Sequence, residues 1–314
     1  MKKIVALGGG TGLSTLISDL KDFPIDLTAI IAVSDNGRST GRLRHEFDIP
    51  AVGDIRKVLT HMSNLPLPLK RVMEYRFSTD SDLNGHSLGN LILTSLLKDT
   101  GSLMDSVSEM SFLLDVRQKA YPLSEDNLTL MAEDIKGNII KGEEEITESK
   151  VPKKRLFYDK EPVINKKVIA AIKNADLIIL SMGSLYTSIL PHLIVNEIKD
   201  AIAASKAKIM YVSNVMTQPG ETDNFKVSDH IKTLNGYLKE RKVDVVLCNK
   251  NVPNKGILNK YKKLENKDYV KVDKNELKKM NVELLTENLI TLADGTIKHN
   301  SMKVAAHIYA YLMK

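Results

Sequence analysis

Two glycine-bearing turns hold the residue types that a phosphate or nucleotide site needs. The first, Gly8-Gly9-Gly10-Thr11-Gly12-Leu13-Ser14, follows the apolar run Ile4-Val5-Ala6-Leu7 and precedes a helical pattern at Leu16, Ile17 and Leu20. A strand, a tight turn and a helix in that order gather bare backbone N–H groups at the positive end of a helix dipole, where an anion can sit. Glycines let the ligand approach and supply positive φ where the turn requires it. Their spacing fits neither G-x-G-x-x-G, because Leu13 fills the third place, nor a P-loop, because no Lys follows. The turn therefore predicts an anion or nucleotide without naming NAD or ATP. The second turn, Ser181-Met182-Gly183-Ser184, follows Leu177-Ile178-Ile179-Leu180 and sets Ser184, Thr187 and Ser188 near another helix start.

Further polar loops surround these turns in the sequence. Ser34 to Arg42 offers Asp35 for a ribose hydroxyl or a divalent metal, and Arg38 or Arg42 for a bidentate grip on phosphate. In Gly53-Asp54-Ile55-Arg56, Asp54 suits a helix N-cap. Arg56 in the first turn opposes the dipole, a conflict that a bound anion would relieve. Asn84 to Asn90 carries His86, a candidate general acid, base or phosphate donor, with Ser87 placed to cap the next helix. Asn214 to Thr222 brings Asn214, Gln218 and Glu221, which could read sugar hydroxyls or a base edge. Each loop alone reads equally well as a cap or a polar surface turn. Together, at one predicted sheet edge, they point to a cleft.

Short apolar runs at 4–7, 27–33, 176–181, 208–213 and 243–248 predict strands buried on both faces. Helical patterns lie between them, at 12–21, 192–204 and 228–240, and fill most of 54–113. The expected fold is α/β, a Rossmann-like parallel sheet with helices on both faces. From about 115 to 162 short strand-like pieces alternate with turn signals, which reads as a small antiparallel insertion within a single domain spanning 1–314.

Composition narrows the class. At 314 residues and 43% hydrophobic the chain can bury a large core, yet no apolar run reaches a membrane span. Only four apolar residues follow Met1-Lys2-Lys3, too few for a signal peptide, so a cytoplasmic location is expected. Cys248 stands alone on a predicted strand, which excludes an internal disulfide. The net charge of +6 is concentrated in 239–314, where 16 Lys/Arg face 9 Asp/Glu. With 5% aromatics and no Trp, that basic stretch lacks a base-stacking platform, so no nucleic acid is expected.

The motifs at Gly8 to Ser14, Asp35 to Arg44, Gly53 to Arg56, Gly85 to Asn90, Gly183 to Ser188 and Asn214 to Thr222 occur in the order of a known family. The chain resembles, over nearly its whole length, the YvcK-type gluconeogenesis factors, relatives of the CofD-type 2-phospho-L-lactate transferases. The resemblance implies phosphate and nucleotide contacts from Gly8, Gly9, Gly10, Thr11, Gly12 and Leu13, and from Asp35, Ser39, Gly41 and Arg42. It adds Asp54, Arg56, His86, Ser87 and Asn90, then Gly183, Ser184, Tyr186, Thr187 and Ser188. It also adds Asn214, Thr217, Gln218 and Glu221, and, through an Ile-Arg-His-Asp-Thr-like stretch at 297–301, Tyr261 and Lys298.

The gluconeogenesis-factor branch implies UDP-sugar binding and a regulatory role in cell-wall synthesis and cell shape during gluconeogenic growth. It makes cell-wall synthesis proteins and a second copy of the chain the protein partners to expect. The transferase branch implies Mg-dependent transfer of a phospholactyl group to a deazaflavin alcohol, with Asp54 or His86 as the catalytic candidates. Where the family loop reads Asp-Asp-Gly-Gly-Ser-Ser-Gly, this chain has Asp35-Asn36-Gly37-Arg38-Ser39-Thr40-Gly41, which leaves Asp35 as the one Mg ligand expected there. Ser301 stands at the position of a phosphorylatable Thr, or serves as an ordinary N-cap.

Overall fold

Seven parallel strands form the centre of the molecule in a computed structural model that describes residues 1–293 and 295–314. In chain order the strands are β1 (Lys3–Gly8), β2 (Asp26–Ile31), β3 (Lys119–Pro122), β4 (Leu130–Asp134), β5 (Ile139–Lys141), β6 (Lys153–Tyr158), β7 (Leu177–Leu180), β8 (Lys208–Val212), β9 (Val245–Asn249), β10 (Glu283–Glu287), β11 (Ile290–Ala293) and β12 (Thr296–His299). The large sheet runs β10-β9-β8-β7-β1-β2-β3, and each neighbouring pair is parallel. Every residue of β7 and β9 is buried, as are all of β1 and β2 after the first, because helices cover both faces.

The strand order reverses at β1. From there the chain builds outward through β2 and β3, then returns to build β7 to β10 on the other side. Such a switch point opens a crevice beyond the carboxyl ends of the two central strands. Those ends carry the two glycine turns. The helices that follow β1 and β2 are α1 (Gly10–Leu20), α2 (Arg38–Phe47), α3 (Gly53–Met62), α4 (Leu67–Glu74), α5 (Leu88–Thr100) and α6 (Leu103–Leu113). Part of the polar stretch 34–42 is thus the first turn of α2.

The insertion is smaller than the sequence suggests. Ala120-Tyr121-Pro122 belongs to the edge strand β3, which pairs with β2, so the insertion proper is the antiparallel set β5-β4-β6 with helix α7 (Glu143–Glu148). Pro122 at the sheet edge suits a residue with no N–H to donate. Strand β10 lies in the Lys-rich quarter. Its ends are exposed glutamates, so no continuous apolar run marks it. The last helix, Ser301–Leu312, buries Val304, Ala305 and Ile308 and packs on α1. Among the described residues, no helix is long and apolar enough to cross a membrane.

Candidate functional site

The glycine turns meet face to face at the switch point. Gly10 takes φ +49°, a left-handed conformation that side chains disfavour, and this turns the chain into α1. A Cβ on Gly12 would overlap the backbone of Gly183, so these two turns abut directly. Beyond them opens a cavity of about 790 Å3, a size suited to a nucleotide. Its floor holds Gly10, Thr11, Gly12, Gly183, Ser184, Thr187 and Ser188, and its walls include Asn214, Gln218 and Lys298.

Helices α1, α2 and α3 are preceded by Gly9, Gly37 and Val52, none of which offers a side-chain oxygen to cap the first N–H groups. The first turns of α1 and α3 both face this cavity. The second glycine turn is organised differently. A π-helical turn, Leu185–Ile189, starts there, and the Ser184 hydroxyl accepts from the Thr187 N–H at 3.1 Å. The same hydroxyl donates to Glu221 Oε2 at 2.6 Å. Glu221 therefore holds the turn rather than lining the cavity, and burial raises its pKa above the ordinary value.

Carboxylates gather on one side. Asp54 and Glu143 line the large cavity, while Asp35 and Asp54 line a smaller chamber that adjoins it. Burial, then the neighbouring Asp35, pushes the Asp54 pKa up to about 7. Burial, then Asp54 and Asp35, holds Glu143 well above the usual carboxylate range. Among the described residues, no group of three or more His, Cys, Asp or Glu is arranged to cage a metal ion. Mg is ordinarily held by one or two carboxylates together with ligand phosphates. Asp35 and Asp54, adjacent and mutually repelling, fit that kind of shared site.

Ser39 and Asn90 line the smaller chamber with Arg56, and Asn90 Nδ2 donates to Ser39 Oγ at 3.1 Å. His86 stands behind them, its Nδ1 2.9 Å from Ser39 Oγ, and burial followed by Arg42 lowers its pKa. Ser87 caps α5 by accepting from the Asn90 N–H. Gly41 and Arg42 face an outer concavity, and Arg42 donates to the carbonyls of Asp82 and Asn84. Leu13 is core, and Gly8 and Gly9 close the turn from behind. Thr217 accepts from the Asp268 N–H, and Tyr186 is buried within the π turn. Tyr261 supports the wall, its hydroxyl accepting from the Ile297 N–H at 2.8 Å, one residue from Lys298.

The cavity also has lining residues absent from the sequence reading: Lys57, Glu143, Thr147, Lys267 and His299. Lys57 donates to Thr11 Oγ1 at 2.5 Å, which places a cation beside the first turn. His299 Nε2 lies 3.1 Å from the Ser213 carbonyl, and burial lowers its pKa.

Comparison with known proteins places the fold and the sequence in a family. A family model described as 2-phospho-L-lactate transferase CofD matches residues 4–290. The gluconeogenesis factor of Bacillus subtilis (strain 168) is 42% identical over 306 residues, 97% of this chain and 96% of that protein. The putative gluconeogenesis factor of Thermotoga maritima is 41% identical over 311 residues, 96% of this chain and 97% of that one. A crystal structure of a Bacillus halodurans protein superposes with a TM-score of 0.94 at 39% identity, covering 98% of this chain and 99% of that one.

Proposed function

The chain belongs to the CofD-like family that includes the gluconeogenesis factors, and from that premise we propose that it is a nucleotide-sugar-binding regulator. One observation carries the reading: the cavity of about 790 Å3 at the switch point, floored by two abutting glycine turns. In this reading the diphosphate of a UDP-sugar lies on the N–H groups of Gly10 to Gly12, with Lys57 and Lys298 balancing its charge. Asn214 and Gln218 read hydroxyls or the base edge. Asp35 and Asp54 would hold Mg, which when bound would neutralise part of the diphosphate charge. The role fits a cytoplasmic switch that couples carbon supply to cell-wall synthesis and cell shape in gluconeogenic growth. Calorimetry with UDP-N-acetylglucosamine tests it. One site per chain, weakened by Lys298→Gln, supports the reading; no heat at millimolar ligand discards it.

A second reading has its own support in Asp54, whose carboxyl near pH 7 suits a general base. In a CofD-type transfer the acceptor alcohol oxygen bonds to the phosphorus carrying the lactyl group. The bond from that phosphorus to the nucleoside monophosphate breaks, and the alcohol proton passes to Asp54. Positioning and charge neutralisation do most of the work in such transfers. Mass spectrometry of protein, donor, deazaflavin alcohol and Mg decides. No coupled product under conditions where an authentic transferase turns over removes this reading.

A further inference from the structure

The chamber beside the main cavity has its own volume, about 240 Å3, and a different chemistry. Four cationic residues, Arg38, Arg56, Lys57 and Arg76, line it. Arg56 is the informative one, because its side chain is only 7% exposed. Its Nε donates to Asn90 Oδ1 at 3.1 Å, which fixes the plane of the guanidinium. The carboxylate paired with it, Glu74, comes no nearer than 3.8 Å to Nη1 and is 43% exposed. Among the described residues, no acceptor hydrogen-bonds the Nη groups. The Nη groups are not sealed from solvent; they open into the chamber, where an oxyanion can take both donors of the fixed guanidinium.

Arg38 supplies a second, independent sign. It opens α2 with φ +41°, a conformation that a residue with a Cβ adopts reluctantly. Backbone of this kind persists where the surroundings impose it, and it concentrates at ligand sites. At this position the chain accepts an unfavourable backbone conformation and gains a cation facing the chamber. Arg76 is anchored from the other direction, donating to the Gly85 carbonyl at 2.8 Å. Asp35, Asp54 and Glu144 also face this space, so a bare inorganic anion does not satisfy all of it. Glu144, which the nucleotide reading leaves unassigned, is the carboxylate there that can accept a hydroxyl hydrogen.

We propose that this chamber is a second ligand site, which takes a small hydroxylated phosphate monoester through Arg38, Arg56 and Arg76. The site touches the nucleotide cavity through Asp54 and Lys57, and its assignment does not depend on what that cavity holds.

The test is calorimetry on the full chain with glycerol 3-phosphate, inorganic phosphate and malonate as probes, with and without saturating UDP-N-acetylglucosamine. Glycerol 3-phosphate is expected to bind one site and to exceed malonate by about tenfold, with little change when the nucleotide sugar is added. Arg76→Gln and Arg38→Gly are each expected to weaken it by about tenfold. Arg38→Gly should leave the melting temperature equal or higher, because glycine adopts that φ freely. Three results overturn the proposal. They are unchanged phosphate binding in both variants, displacement by the nucleotide sugar, and malonate binding as tightly as glycerol 3-phosphate. No binding of any probe at millimolar concentration overturns it as well. A failure of the nucleotide sugar to bind leaves the glycerol 3-phosphate arms readable, so the two assignments fall separately.

Discussion

Gly12 and Gly183, 171 positions apart in the chain, press backbone to backbone where the two halves of the sheet meet. Neither side can retreat, because each turn continues directly from a fully buried strand end. Gly12→Ala is therefore expected to cost about 1–3 kcal/mol or to prevent folding, since the added carbon meets main chain rather than a movable side chain. Gly236 is the contrast, a helical glycine whose Cβ would enter open space. Gly236→Ala should stabilise by about 0.5–1 kcal/mol. Urea denaturation of both variants checks the pair, and equal effects would contradict the contact.

The Asp54 carboxyl is expected to make stability depend on pH with a definite sign. Its folded pKa, about 7, lies above the ordinary 3.8, so the native state holds more protons between those values. Stability from this group is thus greatest at low pH and is lost as pH rises through 7. Asp54→Asn should remove that component and stabilise the protein above pH 7 by about 1–2 kcal/mol. The difference between wild-type and variant denaturation curves from pH 4 to 8 is the measurement; it cancels the distant carboxylates and includes the relief of Glu143, whose pKa Asp54 raises.

Ser184 serves two partners at once, the Thr187 N–H and the Glu221 carboxyl. Ser184→Ala removes a cap and strips a buried carboxyl of its shortest hydrogen bond. A loss of about 1–2 kcal/mol is expected, with Glu221→Gln added to Ser184→Ala recovering part of it. Thermal unfolding of the single and double variants reads this directly.

Lys153 is nearly buried, and its ammonium donates to the carbonyls of Ser149 at 2.5 Å and Gly220 at 2.7 Å. Lys153→Met keeps the stem and abandons both acceptors. Faster amide exchange confined to β4, β5, β6 and α7 is expected, with a stability loss of about 1–3 kcal/mol. Exchange unchanged in that segment would show that the contact does not secure the insertion.

The sequence made some of this visible and hid the rest for physical reasons. Strands β1, β2, β7, β8 and β9 stand out because burial on both faces demands unbroken apolar runs. The glycine turns are legible because their chemistry is local. Strands β3 and β10 are edges, short or polar at the ends, and leave no such trace. Lys57 sits in an ordinary helix, and only tertiary packing carries its ammonium to Thr11. Glu143 is the start of Glu143-Glu144-Glu145, which reads as a helix beginning that favours acidic residues. Nothing local indicates that the fold swings it toward Asp54.

Helix α7 and its sheet are tied to both banks of the crevice. On one side Asn36 donates to Glu145 and accepts from the Glu144 N–H; on the other Thr147 reaches Glu221 and Lys153 reaches Gly220. A cross-brace fixed at both ends resists any hinge that would part the two halves of the sheet. The pocket is therefore shaped as the chain folds, before a guest arrives. Most of the ordering entropy of association then falls on the guest, and the tightest ligands will be those already stiff in the bound form.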